Sequence, residues 1–214
     1  MPNKKQLSKV VHVFCEGDTE YHYFNVLKRI EHLGFSLKPV DVCGGGYSKM
    51  LDAIKKSSPF GVLARVVLLD FDRYVSIISE RAVFDEIVNY INSQNKKGIA
   101  TFFIVSNPDF DDFVLLHDLK YSFSNKTTIL KNNGYKSINE LKADDNVFLK
   151  FNSDPKNYNN ALNRINPRHI LDNIFKYDKT NVLFKNTILV NINNQSIKSS
   201  NVIDLFEIIN CLRQ

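Results

Sequence analysis

Three apolar runs constrain this chain more than any other feature: Val10–Cys15 (VVHVFC), residues 62–69 (VLARVVLL) and residues 99–105 (IATFFIV). Each is short and rich in branched or aromatic side chains, the pattern of a strand covered on both faces. Helical patterns lie between them. Tyr23, Val26, Leu27, Ile30 and Leu33 recur at three- and four-residue steps, with Asp18 or Thr19 as cap and Gly34 as stop. A strand over residues 38–42, a Gly44-Gly45-Gly46 loop and a short helix over 48–54 come next. After the third strand, Phe84, Ile87, Val88 and Ile91 stripe a helix that closes near Gly98. Strands alternating with helices predict an α/β fold with a mainly parallel sheet flanked by helices.

Beyond residue 120 the text becomes rich in Asn and Lys, which reads as base composition rather than disorder. Tyr158, Ala161, Leu162 and Ile165 mark one short helix, the segment after Asn166-Pro167 another, and residues 202–212 a terminal one. A late strand is expected over 187–192. The organisation expected is one domain over 1–214: an α/β core with acidic motifs over 1–119, a mostly helical basic appendage over 120–186, and a terminal strand and helix over 187–214.

A length of 214 residues with 43% hydrophobic composition can bury a sizeable core. No stretch nears the roughly 18 apolar residues of a membrane helix, and the N-terminus lacks the apolar core of a signal peptide, so a cytoplasmic protein is expected. Cys15, Cys43 and Cys211 form no Cys-x-x-Cys pair and are read as reduced, mostly buried thiols. Charge divides unevenly: residues 1–119 carry 14 Lys+Arg against 15 Asp+Glu, residues 120–214 carry 14 against 8. That asymmetry suits an acidic metal-holding centre beside a basic surface for phosphates, with Lys126, Lys131, Lys136, Lys150, Arg164 and Arg168 as candidate nucleic-acid contacts.

In an open parallel sheet, ligands gather outside the carboxyl ends of the strands. Glu16 and Glu20 follow the first strand, Asp70 and Asp72 end the third, and Ser106, Asn107 and Asp111 follow the fourth. If residues 70–72 stay extended, Asp70 and Asp72 present their carboxylates on one side. Adjacent carboxylates repel unless a cation or proton separates them, and an all-oxygen set suits Mg²⁺ or Mn²⁺. Gly17 is expected to allow a sharp turn, Asp18 to cap the helix, and Glu20 to face inward from its first turn.

EG-x-TE after a first strand and D-x-D after a third resemble the acidic motifs of Toprim domains, in their nuclease branch. SNPDFDDFVLLH, residues 106–117, resembles the Ser-Asn-Pro-x-Phe-Glu-x-Trp...His signature of RloB-like proteins, and SSNVIDLFEIINCL resembles that family's C-terminal helix. Asp111 stands where the family usually has Glu, and Phe113 where it has Trp. The resemblance covers most of the chain. It implies a Toprim-like Rossmannoid sheet and a Mg²⁺-dependent phosphodiester nuclease acting on DNA or RNA, tRNA among them, in antiphage defence beside a separate ATPase. It assigns Glu16 as the essential acid, Glu20 as its companion, and Asp70 and Asp72 as the metal pair, while Asp111 is expected to complete a second metal site or to orient a ligand.

His117 and Lys120 follow on the next helix as candidate catalytic residues, although a core histidine is the commoner use of such a position. Gly44-Gly45-Gly46-Tyr47-Ser48-Lys49 lacks the phosphate-loop spacing, so no ATP hydrolysis by this chain is expected. One rival is a non-catalytic subunit that binds nucleic acid or an ATPase. Another is a phosphatase of dehalogenase type with Asp70 as nucleophile; there Tyr74 stands in place of the usual Thr or Val, and Glu16 has no role.

Overall fold

The computed structural model describes residues 10–31, 33, 35–153, 157–165, 170–178, 183–194 and 196–213. The first half alternates: β1 (Val10–Cys15), α1 (Asp18–Ile30), β2 (Ser36–Asp41), α2 (Gly46–Lys56), β3 (Ala64–Asp70), α3 (Asp72–Ser76), α4 (Ile78–Lys96), β4 (Thr101–Asn107) and α5 (Phe110–Leu115). Four short helices follow, α6 (Lys126–Asn132), α7 (Ile138–Lys142), α8 (Val147–Phe151) and α9 (Tyr158–Arg164). The chain then forms a hairpin of β5 (Leu171–Asp178) and β6 (Leu183–Val190), a two-residue β7 (Ser199–Ser200) and α10 (Val202–Arg213).

The main sheet has the order β2-β1-β3-β4-β7, with the first four strands parallel and β7 antiparallel. This is an α/β fold with a mainly parallel sheet flanked by helices. β3 and β4 run past their apolar runs because pairing continues to Asp70 opposite Ser106, which carries polar residues to the sheet's carboxyl edge. The chain leaves β1 toward β2 on one side and later enters β3 on the other, so a crevice opens between the ends of β1 and β3.

Each sheet face buries its own apolar cluster. Val11, Val13, Val66, Leu68, Phe102 and Ile104 face α1, α5 and α10, and the same cluster takes in Leu141, Phe148 and Phe151 of the short helices. The appendage therefore shares a core with the sheet. Phe14, Val67, Leu69 and Phe103 face α2 and α4, with Leu171 and Ile188 of the hairpin closing that side.

Several local expectations change. The segment after residue 170 is a strand, not a helix: Leu171, Asn173, Phe175 and Tyr177 alternate inward while Ile174 and Lys176 are exposed. Its partner ends at Val190, short of Ile192, which starts a 3-10 turn (Ile192–Asn194). Gly34, the expected stop of α1, and Arg168 lie outside the described residues. Cys15 is buried, but Cys43 is exposed.

Asparagine side chains finish the outer edge of β4. Asn201 accepts from Val105 N–H (2.7 Å) and donates to Phe103 C=O (2.8 Å); Asn173 accepts from Phe103 N–H (3.2 Å) and donates to the same carbonyl (2.9 Å). Asn186 donates to Thr101 C=O at 2.6 Å. Backbone groups that a strand would pair are thus satisfied by amides. Asn173 and Asn201 also donate to buried Asp204.

Candidate functional site

Glu16, the residue after β1, sits at the crevice and is buried. Its Oε2 accepts the Asp70 N–H at 3.0 Å, so the end of β3 fixes the carboxylate that leaves β1. Gly17 is extended (φ −136°) rather than sharply turned; its use is space, since a Cβ there would stand 3.3 Å from Glu20 Oε2. Gly17 itself is the N-cap of α1 and no side chain caps the helix, so neither Asp18 nor Thr19 does the expected job. Asp18 is exposed in the first turn, where its charge still favours the helix dipole. Thr19 instead donates to Asp111 Oδ1 at 2.7 Å, tying α1 to α5.

Asp70 and Asp72 do not lie on one extended segment. Phe71 is in the right-handed helical region and Asp72 opens α3, so the two carboxylates separate. Asp70 turns inward and its Oδ1 accepts the Phe110 N–H at 2.8 Å, which anchors α5. Asp72 stays exposed at the mouth. The corner is secured from β4: Pro108, after a cis bond from Asn107, accepts the N–H groups of Phe71 and Asp72, each at 3.1 Å. Ser106 and Asn107 serve the frame, Ser106 pairing with Ser200 at 2.9 Å and Asn107 donating to Ile197 C=O at 2.7 Å.

One pocket of about 200 Å³ is lined by Glu16, Glu20, Asp70, Asp72 and Asp111, with Arg73 and Lys142. All five sequence-derived acids meet there. The two cations were not among the candidates; nothing local marks Lys142, which arrives from α7 and stands 3.4 Å from Asp111 Oδ2. That oxygen is buried and has no hydrogen-bond partner. Arg73 Nε is 3.8 Å from Glu16 Oε1.

The electrostatics are those of crowded acids. Burial, opposed by the Asp70 N–H and Arg73, pushes Glu16 up to about 7. Burial, with Asp111 and Glu16 adding repulsion, pushes Glu20 up to about 8. Asp70 rises well above the ordinary range through burial and the charges of Glu20 and Glu16, and burial also raises Asp111 and Asp72. Burial opposes the charge on Lys142, but Asp111 and Asp70 outweigh it and raise its pKa. Such a cluster demands protons or a cation, and its all-oxygen chemistry, with Asp111 Oδ2 held by the Lys142 charge and no hydrogen bond, fits Mg²⁺ or Mn²⁺. Among the described residues, no three acidic, His or Cys side chains already stand close enough to close a coordination shell.

The other candidates lie elsewhere. His117 is fully buried, with Nδ1 2.7 Å from Phe151 C=O and Nε2 3.2 Å from Tyr23 OH, and burial lowers its pKa to about 4. It is a core group outside the pocket lining. Lys120 is exposed and also outside that lining.

The basic residues divide. Lys126 pairs with Asp112 (3.0 Å) and Asp109 (3.2 Å), and Lys150 with Asp144 (2.7 Å) while lying over the Tyr135 ring. Arg164 donates to the carbonyls of Leu116, Asp118 and Tyr121, fastening α9 to the end of α5. Lys126 and Arg164 are tied into the fold, whereas Lys150, though paired, stays exposed. Lys131 and Lys136 are exposed. No helix among the described residues is long and apolar enough to cross a membrane.

Comparison with family models, with curated proteins and with solved structures gave no match.

Proposed function

We propose that this chain is a Toprim-like, metal-dependent phosphodiester nuclease acting on DNA or RNA. The observation that carries the reading is the meeting of Glu16, Glu20, Asp70, Asp72 and Asp111, brought from the ends of three strands and the helices that follow them, with two cations in one pocket at the carboxyl edge of the sheet. Glu16, Glu20, Asp70, Asp72 and Asp111 would hold Mg²⁺ or Mn²⁺. A divalent ion there supplies charge neutralisation at a phosphate and lowers the pKa of a bound water.

The chain's own residues divide the remaining work. The Asp70 N–H keeps Glu16 aimed into the crevice. Thr19 fixes one oxygen of Asp111 and leaves the other facing Lys142. Lys142 and Arg73 bring positive charge to phosphate oxygens entering from the mouth. Hydrolysis then adds water across one P–O ester bond, hydroxyl to phosphorus and proton to the departing oxygen. Exposed Lys131 and Lys136 extend the contact along the backbone of the nucleic acid. Action in antiphage defence with a separate ATPase follows from the family resemblance.

A second reading, a subunit of this shape that binds nucleic acid or an ATPase without cutting, draws on the absence of a ready-made coordination shell among the described residues. A dehalogenase-type phosphatase fits less well, because Asp70 is half-buried with its Oδ1 engaged by Phe110 N–H, and Glu16 would have no role. The deciding experiment is cleavage of mixed DNA and RNA, tRNA included, with Mg²⁺ or Mn²⁺, comparing wild type with Glu16→Ala and Asp72→Ala. Cleavage by wild type and loss in both variants is expected. Equal cleavage by all three overturns the nuclease reading, and cleavage by none favours the binding subunit.

A further inference from the structure

Glu80 lies on α4, outside the acidic motifs and outside the pocket lining, yet it closes a ring of contacts around the pocket. Its Oε2 accepts the Tyr47 N–H at 3.0 Å, and its Oε1 accepts from Arg73 Nη2 at 2.8 Å. Tyr47 OH donates to Asp70 C=O at 2.5 Å and receives the Tyr74 N–H at 3.1 Å. The Asp70 N–H donates to Glu16 Oε2, and Glu16 Oε1 stands 3.8 Å from Arg73 Nε, which returns the path to Glu80. Each contact joins a different element, so the ring sets α2, α3 and α4 against the ends of β1 and β3.

Two features fit this arrangement. The N-terminus of α2 leaves N–H groups without helical partners, and the Glu80 carboxylate takes one of them, that of Tyr47. The glycine loop therefore closes on an internal anion. Gly46 is held to glycine by its φ of +78°, and a Cβ there would also press on the Arg73 and Glu80 side-chain ends and shift them.

Arg73 is shared unequally. Glu80 binds it in a direct, charge-assisted hydrogen bond, whereas Glu16 is a full ångström farther away and the intervening Nε, though buried, has no hydrogen-bond partner. We propose that Glu80 is a positioning residue: by holding Arg73 it prevents the guanidinium from capturing Glu16 and keeps that carboxylate open to a divalent cation. The inference rests on the nuclease reading for the role of Glu16, but the partition of Arg73 is a property of the chain alone.

The test uses Glu80→Gln, Arg73→Gln and the double variant of the full chain, with Mn²⁺ affinity by calorimetry. Glu80→Gln is expected to weaken Mn²⁺ binding about tenfold, as Arg73 moves onto Glu16, and the double variant to recover wild-type affinity within about twofold. A merely structural Glu80 predicts no recovery, and unchanged Mn²⁺ affinity in Glu80→Gln also overturns the proposal. A second readout needs no metal: the coupling between Arg73→Gln and Glu16→Gln in urea unfolding is expected to rise about tenfold in the unfolding constant when Glu80 is Gln. Coupling that does not change with Glu80 overturns the partition. Wild type that binds no Mn²⁺ breaks the metal reading instead, and the metal-free cycle still decides the role of Glu80.

Discussion

Two buried polar centres lie one turn apart along α1, and they are built on opposite rules. Tyr23 and His117 form the first: both ring nitrogens of the histidine have neighbours, aromatic rings of Phe113 and Tyr23 pack edge-on against it, and burial keeps it neutral. Glu20, one turn earlier on the same helix, belongs to the second, where acids raise one another's pKa and Asp111 Oδ2 lacks a hydrogen bond. A satisfied polar core fixes a structure. Acids buried together at the mouth of a crevice keep an unmet demand, and a ligand can answer it.

The largest expected effect breaks the second centre: Glu16→Gln or Asp70→Asn lowers cleavage in Mg²⁺ by more than about 100-fold, while His117→Leu at a permissive temperature leaves cleavage within about threefold. Single-turnover cleavage measures both.

The two centres should also answer pH with opposite sign. Glu16 moves from an ordinary 4.5 to about 7 in the fold, so the folded state holds its proton across that window and, without divalent ions, stability falls as pH rises through it. His117 moves from 6.5 to about 4, so the unfolded state binds the extra proton and stability rises with pH from 4 to 6.5. Each contribution is worth about 3 kcal/mol. Urea unfolding of the metal-free protein should show the Glu16 loss between pH 4.5 and 7, opposed by the His117 gain between pH 4 and 6.5. Glu16→Gln should remove about one proton's worth of that loss and leave the part due to Glu20, and His117→Leu should make stability fall more steeply between pH 4.5 and 6.5.

Smaller effects sharpen the contrast. His117→Leu should cost about 2 kcal/mol at pH 7 by stranding the Phe151 carbonyl and Tyr23 hydroxyl, measured by the same unfolding. Lys131→Ala and Lys136→Ala should each weaken nucleic-acid binding only modestly and lower the salt slope by about one. Arg164→Ala should instead reduce stability, because its guanidinium is spent on backbone carbonyls. Titrations at several salt concentrations separate the two cases.

The elements with strong periodicity were legible. VVHVFC and VLARVVLL could only be buried strands, and the stripe through Phe84, Ile87 and Ile91 could only cover them. LDNIFKYD was not legible, because one of its inward positions is Asn173, whose fitness for the core depends on β4 backbone groups and Asp204 far away in sequence. In the site, the acids could be read because strand ends collect them. Arg73, Glu80 and Lys142 could not be read, since each acquires its meaning from a partner that only the tertiary fold brings near. The expected pairing of Asp70 with Asp72 failed on one residue: Phe71 begins the helical turn, and the strand's two-residue alternation ends with it.

The amides along β4 have a consequence for assembly. Asn173, Asn186 and Asn201 fill hydrogen-bonding positions that an incoming strand would need. A partner seeking to extend the sheet by augmentation at this edge must first displace three side chains. The abundance of asparagine, which looks like compositional noise, here acts as a stopper on polymerisation.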